Sequence, residues 1–329
     1  MTPVRRNAPD KYAGHSTPYA VIINPNFKWR KITTVIYNEL SNKLKTTMNK
    51  HTIGFLHPGE MGISLAATAR NSGRQACWAS HGRSAATRER AEKHGLADME
   101  TLQQLCNNCE VVISVCPPRA AETVANEVLQ CGYRGIYLDA NAIAPERAQR
   151  IAKNMESAGV TFIDGGIIGP PAWKPGTTWL YLSGADAHQV VNCFASGPLS
   201  IRVIGEMPGK ASALKMVFAA RTKGTTALIC AVLAAAERLG VRKELEMQWN
   251  LLDHGSVTRI HQNIAAATAK AWRYTGEMEE IAATLAASGV PPDFHHGARE
   301  IYDRLAHFKD LDTIPELQAI LDSILGGKI

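Results

Sequence analysis

The stretch His51-Thr-Ile-Gly-Phe-Leu-His-Pro-Gly-Glu-Met-Gly62 decides how this chain is read. Thr52 to Leu56 predicts a short buried strand, because Ile53, Phe55 and Leu56 are apolar and Gly54 admits a close neighbour. His57-Pro58-Gly59 predicts a tight turn, and Met61 to Arg70 a helix. Strand, glycine turn and helix N-terminus together suit a pyrophosphate, since unpaired N–H groups and the positive helix end point at it. The pattern is incomplete: a full G-x-G-x-x-G would carry glycine where His57 stands, which leaves Gly59 and Gly62. The plainer reading is an ordinary strand-to-helix turn. The rest of the chain separates the two.

Outward from this stretch the chain alternates. Strands are predicted at 75–79, 110–115, 135–139, 160–164 and 178–183. Helices are predicted at 84–94, 99–106, 119–129 and 186–193, with another opened by Pro145, a residue tolerated in a first helical turn. Such alternation implies an α/β Rossmann fold with a doubly wound, mostly parallel sheet. Ligands then sit at the carboxyl ends of the strands, in the loops after Leu56, Ala79, Val115 and Asp139. Beyond residue 205 only helical patterns remain, at 210–239, 242–252, 260–271, 277–287 and 298–308. The first of these carries no charge between Lys223 and Glu237, so it is apolar nearly all round. Burial by neighbours, including those of a second subunit, is expected, and with it a homodimer. The expected organisation is an N-terminal extension over 1–50, a dinucleotide-binding Rossmann domain over 51–205, and an all-α substrate and dimerisation domain over 206–329.

A chain of 329 residues is long enough for two domains. Its net charge of +6 is uneven: residues 1–50 hold nine Lys or Arg against Asp10 and Glu39, so they carry +7 and the remainder −1. A body without a basic stripe excludes nucleic acid as the expected partner. The apolar run Gly224 to Ala236 is shorter than a membrane span, so no membrane partner is expected either. Seven scattered cysteines argue against a disulfide framework and for a reducing, cytoplasmic compartment. Cys106-Asn-Asn-Cys109 lacks a second pair, so no metal is expected. Residues 1–47 read as an extension, a targeting segment or a misassigned start before Met48; a targeting segment poor in acids would suit mitochondria.

The end of the second predicted strand bears on the cofactor. An NAD site puts Asp or Glu there for the ribose 2′-hydroxyl. Ala79-Ser-His-Gly-Arg-Ser-Ala-Ala-Thr-Arg88 has no acid, and Ser80, Arg83 and Ser84 suit the 2′-phosphate of NADP(H) instead. The alternative is a solvated basic loop. Lys215, in Ala213-Leu-Lys-Met-Val-Phe-Ala-Ala220, sits early on the long apolar helix. It either snorkels to water or, if desolvated, has a lowered pKa and can exchange a proton with a substrate oxygen. Lys223, two turns on, is a second candidate of that kind.

Taken together, Ile53 to Gly62, Glu110 to Pro117, Asp139 to Pro145, Asp164 to Gly169 and Gly209 to Met216 resemble, in order, the β-hydroxyacid dehydrogenases, relatives of 6-phosphogluconate dehydrogenase. Ala271 to Ala282 is similar to the branch with a phosphogluconate dehydrogenase-like C-terminal domain. The resemblance implies Lys215 as the catalytic lysine and the turn His57, Pro58, Gly59, Glu60 and Met61 at the pyrophosphate. It implies Cys116, Pro117 and Asn141 at the nicotinamide and its ribose, and Gly166, Ile168, Gly169 and Glu277 around a small-molecule substrate. Ile168 and Phe218 replace polar residues of the family pattern, and Gly276 and Glu277 fall near its usual Lys-Asp pair. The expected activity is NADP(H)-dependent hydride transfer to or from a hydroxy or keto compound. Imine reduction is the alternative within the same architecture, and a non-catalytic NADP sensor or scaffold the alternative outside it.

Overall fold

The computed structural model describes residues 52–309, 311, 313 and 315–326. The expected extension over 1–50 lies outside the described residues. Eight strands form one sheet: β1 (Thr52–Phe55), β2 (Gln75–Trp78), β3 (Ala97–Asp98), β4 (Val111–Ser114), β5 (Ile136–Asp139), β6 (Thr161–Ile168), β7 (Thr178–Ser183) and β8 (Leu199–Gly205). Their spatial order is β3-β2-β1-β4-β5-β6-β7-β8, so the chain reverses direction beside β1, where doubly wound sheets bind ligands. Strands β1 to β6 run parallel, β7 pairs antiparallel with β6, and β8 runs parallel to β7.

The helices between strands are α1 (Glu60–Asn71), α2 (Ala85–Lys93), α3 (Leu102–Asn108), α4 (Ala121–Gln130), α5 (Pro145–Ser157) and the short α6 (His188–Val191). They cover both faces of the sheet. Ile53, Phe55 and Ile113 point into one apolar layer, whereas Cys77, Val112 and Tyr137 point into the other. The two-residue β3 and the whole of β8 escaped the sequence reading. Strand β8 carries Arg202 and alternates only weakly, so it looks like an edge strand or a loop.

The remaining helices form a third apolar cluster around Leu233, Met278 and Tyr302. They are α7 (Lys210–Ala219), α8 (Thr225–Arg238), α9 (Arg242–Leu252), α10 (Ser256–Thr268), α11 (Ala271–Ala287), α12 (Asp293–Leu305) and α13 (Leu317–Ile324). Helix α13 was not predicted, and α11 starts six residues earlier than its apolar pattern suggested. The helix expected over 210–239 is continuous but contains a π turn, Ala220–Gly224, between α7 and α8. By length and composition alone Lys210–Arg238 could cross a membrane. Its Met216, Ala227, Cys230 and Leu233 instead pack into the helical core.

The two parts are tied at Glu280 of α11. One carboxylate oxygen accepts the Ala144 N–H at 2.7 Å, capping α5, and the other pairs with Arg147.

Candidate active site

The loops after β1, β2, β4 and β5 meet α7, the π turn and the start of α11 around a cavity of about 710 Å³. Its sheet side is the quoted turn. Gly62 must lack a side chain because a Cβ there would strike the His57 carbonyl. Gly59 faces open space, so its backbone is free to meet a ligand. Helix α1 begins with no side-chain cap, which leaves its first N–H groups to the cavity. His57 lines the wall, and its Nδ1 is buried without a partner. Burial, with Arg83 nearby, lowers its pKa to about 4, so it stands as a neutral imidazole. Pro58 is buried outside the cavity and only shapes the turn.

Arg83 and Ser84 line the next wall, together with Thr87, which the sequence reading missed. Ser84 caps α2 by accepting the Thr87 N–H at 3.3 Å, and no acid occupies that helix's first turn. The Arg83 Nε is buried without a partner. Ser80 does not join them. Its N–H donates to Asp98 Oδ1, and its carbonyl accepts from Arg88 Nη2 at 2.7 Å, so Ser80 braces the loop from beneath. Ser80 lies two residues past the end of β2 and is buried.

Cys116, Pro117 and Asn141 also line the cavity. Asn141 is less available than expected: its Oδ1 accepts the Cys116 N–H at 2.6 Å and its Nδ2 donates to Ser114 Oγ at 3.1 Å. It therefore locks two strand ends together, with a second N–H of Nδ2 and a second lone pair of Oδ1 left for a ligand. Burial pushes the Cys116 thiol up to about 12, so it stays protonated.

The expected substrate loop is largely strand. Gly166 lies within β6, and a Cβ on it would stand 2.5 Å from the Ala211 carbonyl oxygen and 3.2 Å from Lys215 Cβ. This is a packing glycine that brings α7 against the sheet and so sets where Lys215 stands. Ile168 does not reach the cavity; Ile167 does, together with Gly169. The pleat alternates faces, so the one-residue difference decides which isoleucine meets the ligand.

The helical side carries the charges. Lys215, Lys223, Arg273 and Glu277 all line the cavity, with Tyr274 among them. Glu277 is buried and pairs with Lys223, whose ammonium lies 4.1 Å from the centre of the Tyr274 ring. Among the described residues Lys215 makes no hydrogen bond or ion pair. Burial lowers its pKa against the opposing pull of Glu277, and Arg273 adds to the lowering. Lys223 is lowered to about 8, again chiefly by burial. Burial would raise Glu277, but Lys223 and Lys215 outweigh it and hold the carboxyl below its ordinary value. The sequence reading gave Arg273 and Tyr274 no role, although they precede Glu277 by four and three residues and so share its helix face.

A glycine turn at the carboxyl edge of a doubly wound sheet, closed by a helical layer, defines a dinucleotide-binding protein of the dehydrogenase type. Residues 52–192 match the NAD binding domain of 6-phosphogluconate dehydrogenase. Residues 236–305 match the C-terminal domain of unknown function DUF1932. A 28.5 kDa protein encoded in the 7S RNA 5′ region of Methanothermus fervidus is 31% identical over 194 residues, 59% of this chain and 74% of that one. The chain belongs to this 6-phosphogluconate dehydrogenase-like family. Among solved structures, the conserved protein MTH1747, described as similar to 3-hydroxyacid dehydrogenases, is 30% identical. Its TM-score is 0.58, over 78% of this chain and 97% of that one. The 3-hydroxyisobutyrate dehydrogenase of Mycobacterium tuberculosis, solved with L-serine, shares the fold at 18% identity and TM-score 0.63, over 83% of this chain and 99% of that one. A nicotinamide dinucleotide fits what the cavity offers: an open glycine backbone, an uncapped helix start, and unpartnered nitrogens on His57 and Arg83.

Proposed function

We propose that this protein is an NADP(H)-dependent oxidoreductase acting on a hydroxy or keto compound, with Lys215 as its general acid–base. The carrying observation is that Lys215, desolvated and unpaired, opens into the same cavity as the glycine turn. A bound nicotinamide would supply or accept the hydride. The chain's own part is to hold the dinucleotide at Gly59 and the start of α1, to exclude water, and to exchange the oxygen's proton at Lys215 Nζ. The seven free thiols support a reducing, cytoplasmic setting. Leu228 and Val232 on α8, with Met247, Leu251 and Leu252 on α9, leave an apolar surface that supports a homodimer.

Imine reduction is the second reading, favoured by the apolar side chains that Ile167 and Phe218 bring to the cavity. A panel of ketoacids, aldehydes and cyclic imines, followed by NADPH oxidation, separates the two. Turnover of imines alone overturns the hydroxy–keto reading, and no turnover with any class favours a sensor or scaffold.

Cofactor choice is expected to rest on Arg83, with Ser84 and the start of α2 in support. NADPH should bind about ten- to a hundred-fold tighter than NADH, because a charge-assisted contact contributes about 1.5–3 kcal/mol. Calorimetric titration of Arg83→Ala should find most of that difference gone. Equal dissociation constants in the unmodified protein would overturn the assignment to NADP(H).

A further inference from the structure

Lys215 and Lys223 are eight residues apart on one continuous helix. In a regular α-helix that spacing separates two side chains by roughly 80° around the axis. The π turn Ala220–Gly224 absorbs one extra residue and reduces the offset to about 20°. Both ammonium groups therefore face the same cavity, with Glu277 of α11 opposite them. The carboxylate is claimed by one of the two. Lys223 pairs with Glu277 and lies over the Tyr274 ring, and its carbonyl accepts the Tyr302 hydroxyl at 2.7 Å. Gly224 lets α12 approach, since a Cβ there would stand 2.9 Å from His295 Nε2.

We propose that Lys223 is a positioning residue: it holds the Glu277 carboxylate away from Lys215 and so keeps the Lys215 amine free for proton exchange. This rests on the acid–base reading of Lys215. Were Lys223 absent, Glu277 would keep its negative charge with Lys215 and Arg273 left to answer it. An ion pair there would hold Lys215 protonated and occupied. The other charged or titratable groups around the pair are Arg273 and Tyr274 of α11 and His295 and Tyr302 of α12. Across the cavity stands Cys116, protonated at neutral pH. Lys270, just before α11, lines the cavity too, and so do His57, Arg83 and the carboxylate Glu60 on its sheet side. Around the pair itself the balance lies between Glu277 and three cations, Lys215, Lys223 and Arg273.

The test reads Lys215 itself. Protein saturated with NADP+ is labelled with trace acetic anhydride across a pH series, and acetylation of Lys215 is followed by peptide mass spectrometry with exposed Lys153 as reference. In Lys223→Met the labelling midpoint of Lys215 should rise by about one pH unit, with roughly tenfold slower labelling near pH 7. In Glu277→Gln it should fall by a similar amount. Lys223→Arg keeps the charge on Glu277 and should restore the parent midpoint. A parent-like midpoint in both Lys223→Met and Glu277→Gln overturns the proposal, as does movement of the two in one direction. Should Lys223→Met fail to fold, Glu277→Gln and Lys223→Arg carry the test, with an unshifted Glu277→Gln overturning it. Failure of the acid–base reading looks different: Lys215→Met would turn over normally while the midpoints still moved.

Discussion

Lys215→Met should lose at least about a hundred-fold in turnover while binding NADPH almost as the parent does. Methionine keeps the unbranched stem that packs against Gly166 at the crossing of β6 and α7, so the helix stays seated on the sheet. Only the ammonium is lost. It stands on the helical wall, whereas the proposed dinucleotide contacts lie on the sheet side, at the His57–Gly62 turn and at Arg83. Kinetic and binding effects should therefore separate, which a general loss of folding could not produce. The pH profile gives a second check. In the oxidative direction the unprotonated amine is the active form, so kcat/KM should rise through a pKa below the ordinary lysine value. That limb should vanish in Lys215→Met. A variant within a few-fold of the parent on its best substrate would overturn the assignment, and another proton donor would then have to be sought.

How much of this was legible beforehand follows from what each residue does. The turn at His57–Gly62 was legible because strand, glycine and helix follow one another locally. The missing acid after β2 was legible too, as a simple absence in Ala79 to Arg88. Ser80, Asn141 and Ile168 were assigned too much, for one physical reason. Their neighbourhood in sequence is right, but their side-chain direction depends on pleat and hydrogen bonding. Asp98, 18 residues from Ser80, holds its backbone N–H, and Cys116 and Ser114 engage both ends of the Asn141 amide. The Lys223–Glu277 pair was out of reach altogether. It joins residues 54 apart and depends on a π turn, for which Ala220 to Gly224 carries no sequence signal.

The largest stability effect is expected at Asp164. Its carboxylate accepts the N–H groups of Gly209, Ala211 and Ser212 at 2.9–3.0 Å, the Ser212 hydroxyl at 2.6 Å and the Ser183 hydroxyl at 2.9 Å. It thereby caps α7 from inside the sheet and fixes the helix that bears Lys215. Asp164→Ala leaves buried donors unpaired, at about 1–3 kcal/mol for each such group, so a loss of at least ~3 kcal/mol is expected. Burial raises the pKa of Asp164 despite these bonds, and the same acid one strand away is raised with fewer partners to oppose it. Asp139 is the register partner of Asp164, and its Oδ2 is buried with no partner. Burial pushes it up to about 7, against the opposing hydrogen bond from the Asn141 N–H. A carboxyl raised above its unfolded value near 4 favours the folded state only while protonated, so its contribution disappears as pH rises from about 4 to about 7. Asp139→Asn should remove that loss and leave the protein more stable above pH 7, by roughly 4 kcal/mol at most. Urea unfolding of both variants at pH 5 and pH 8 checks the pair. Asp164→Ala should be weaker at both values, and the advantage of Asp139→Asn should grow from pH 5 to pH 8. Equal midpoints for Asp164→Ala and the parent would mean that the start of α7 is held by its own turn, without help from the sheet.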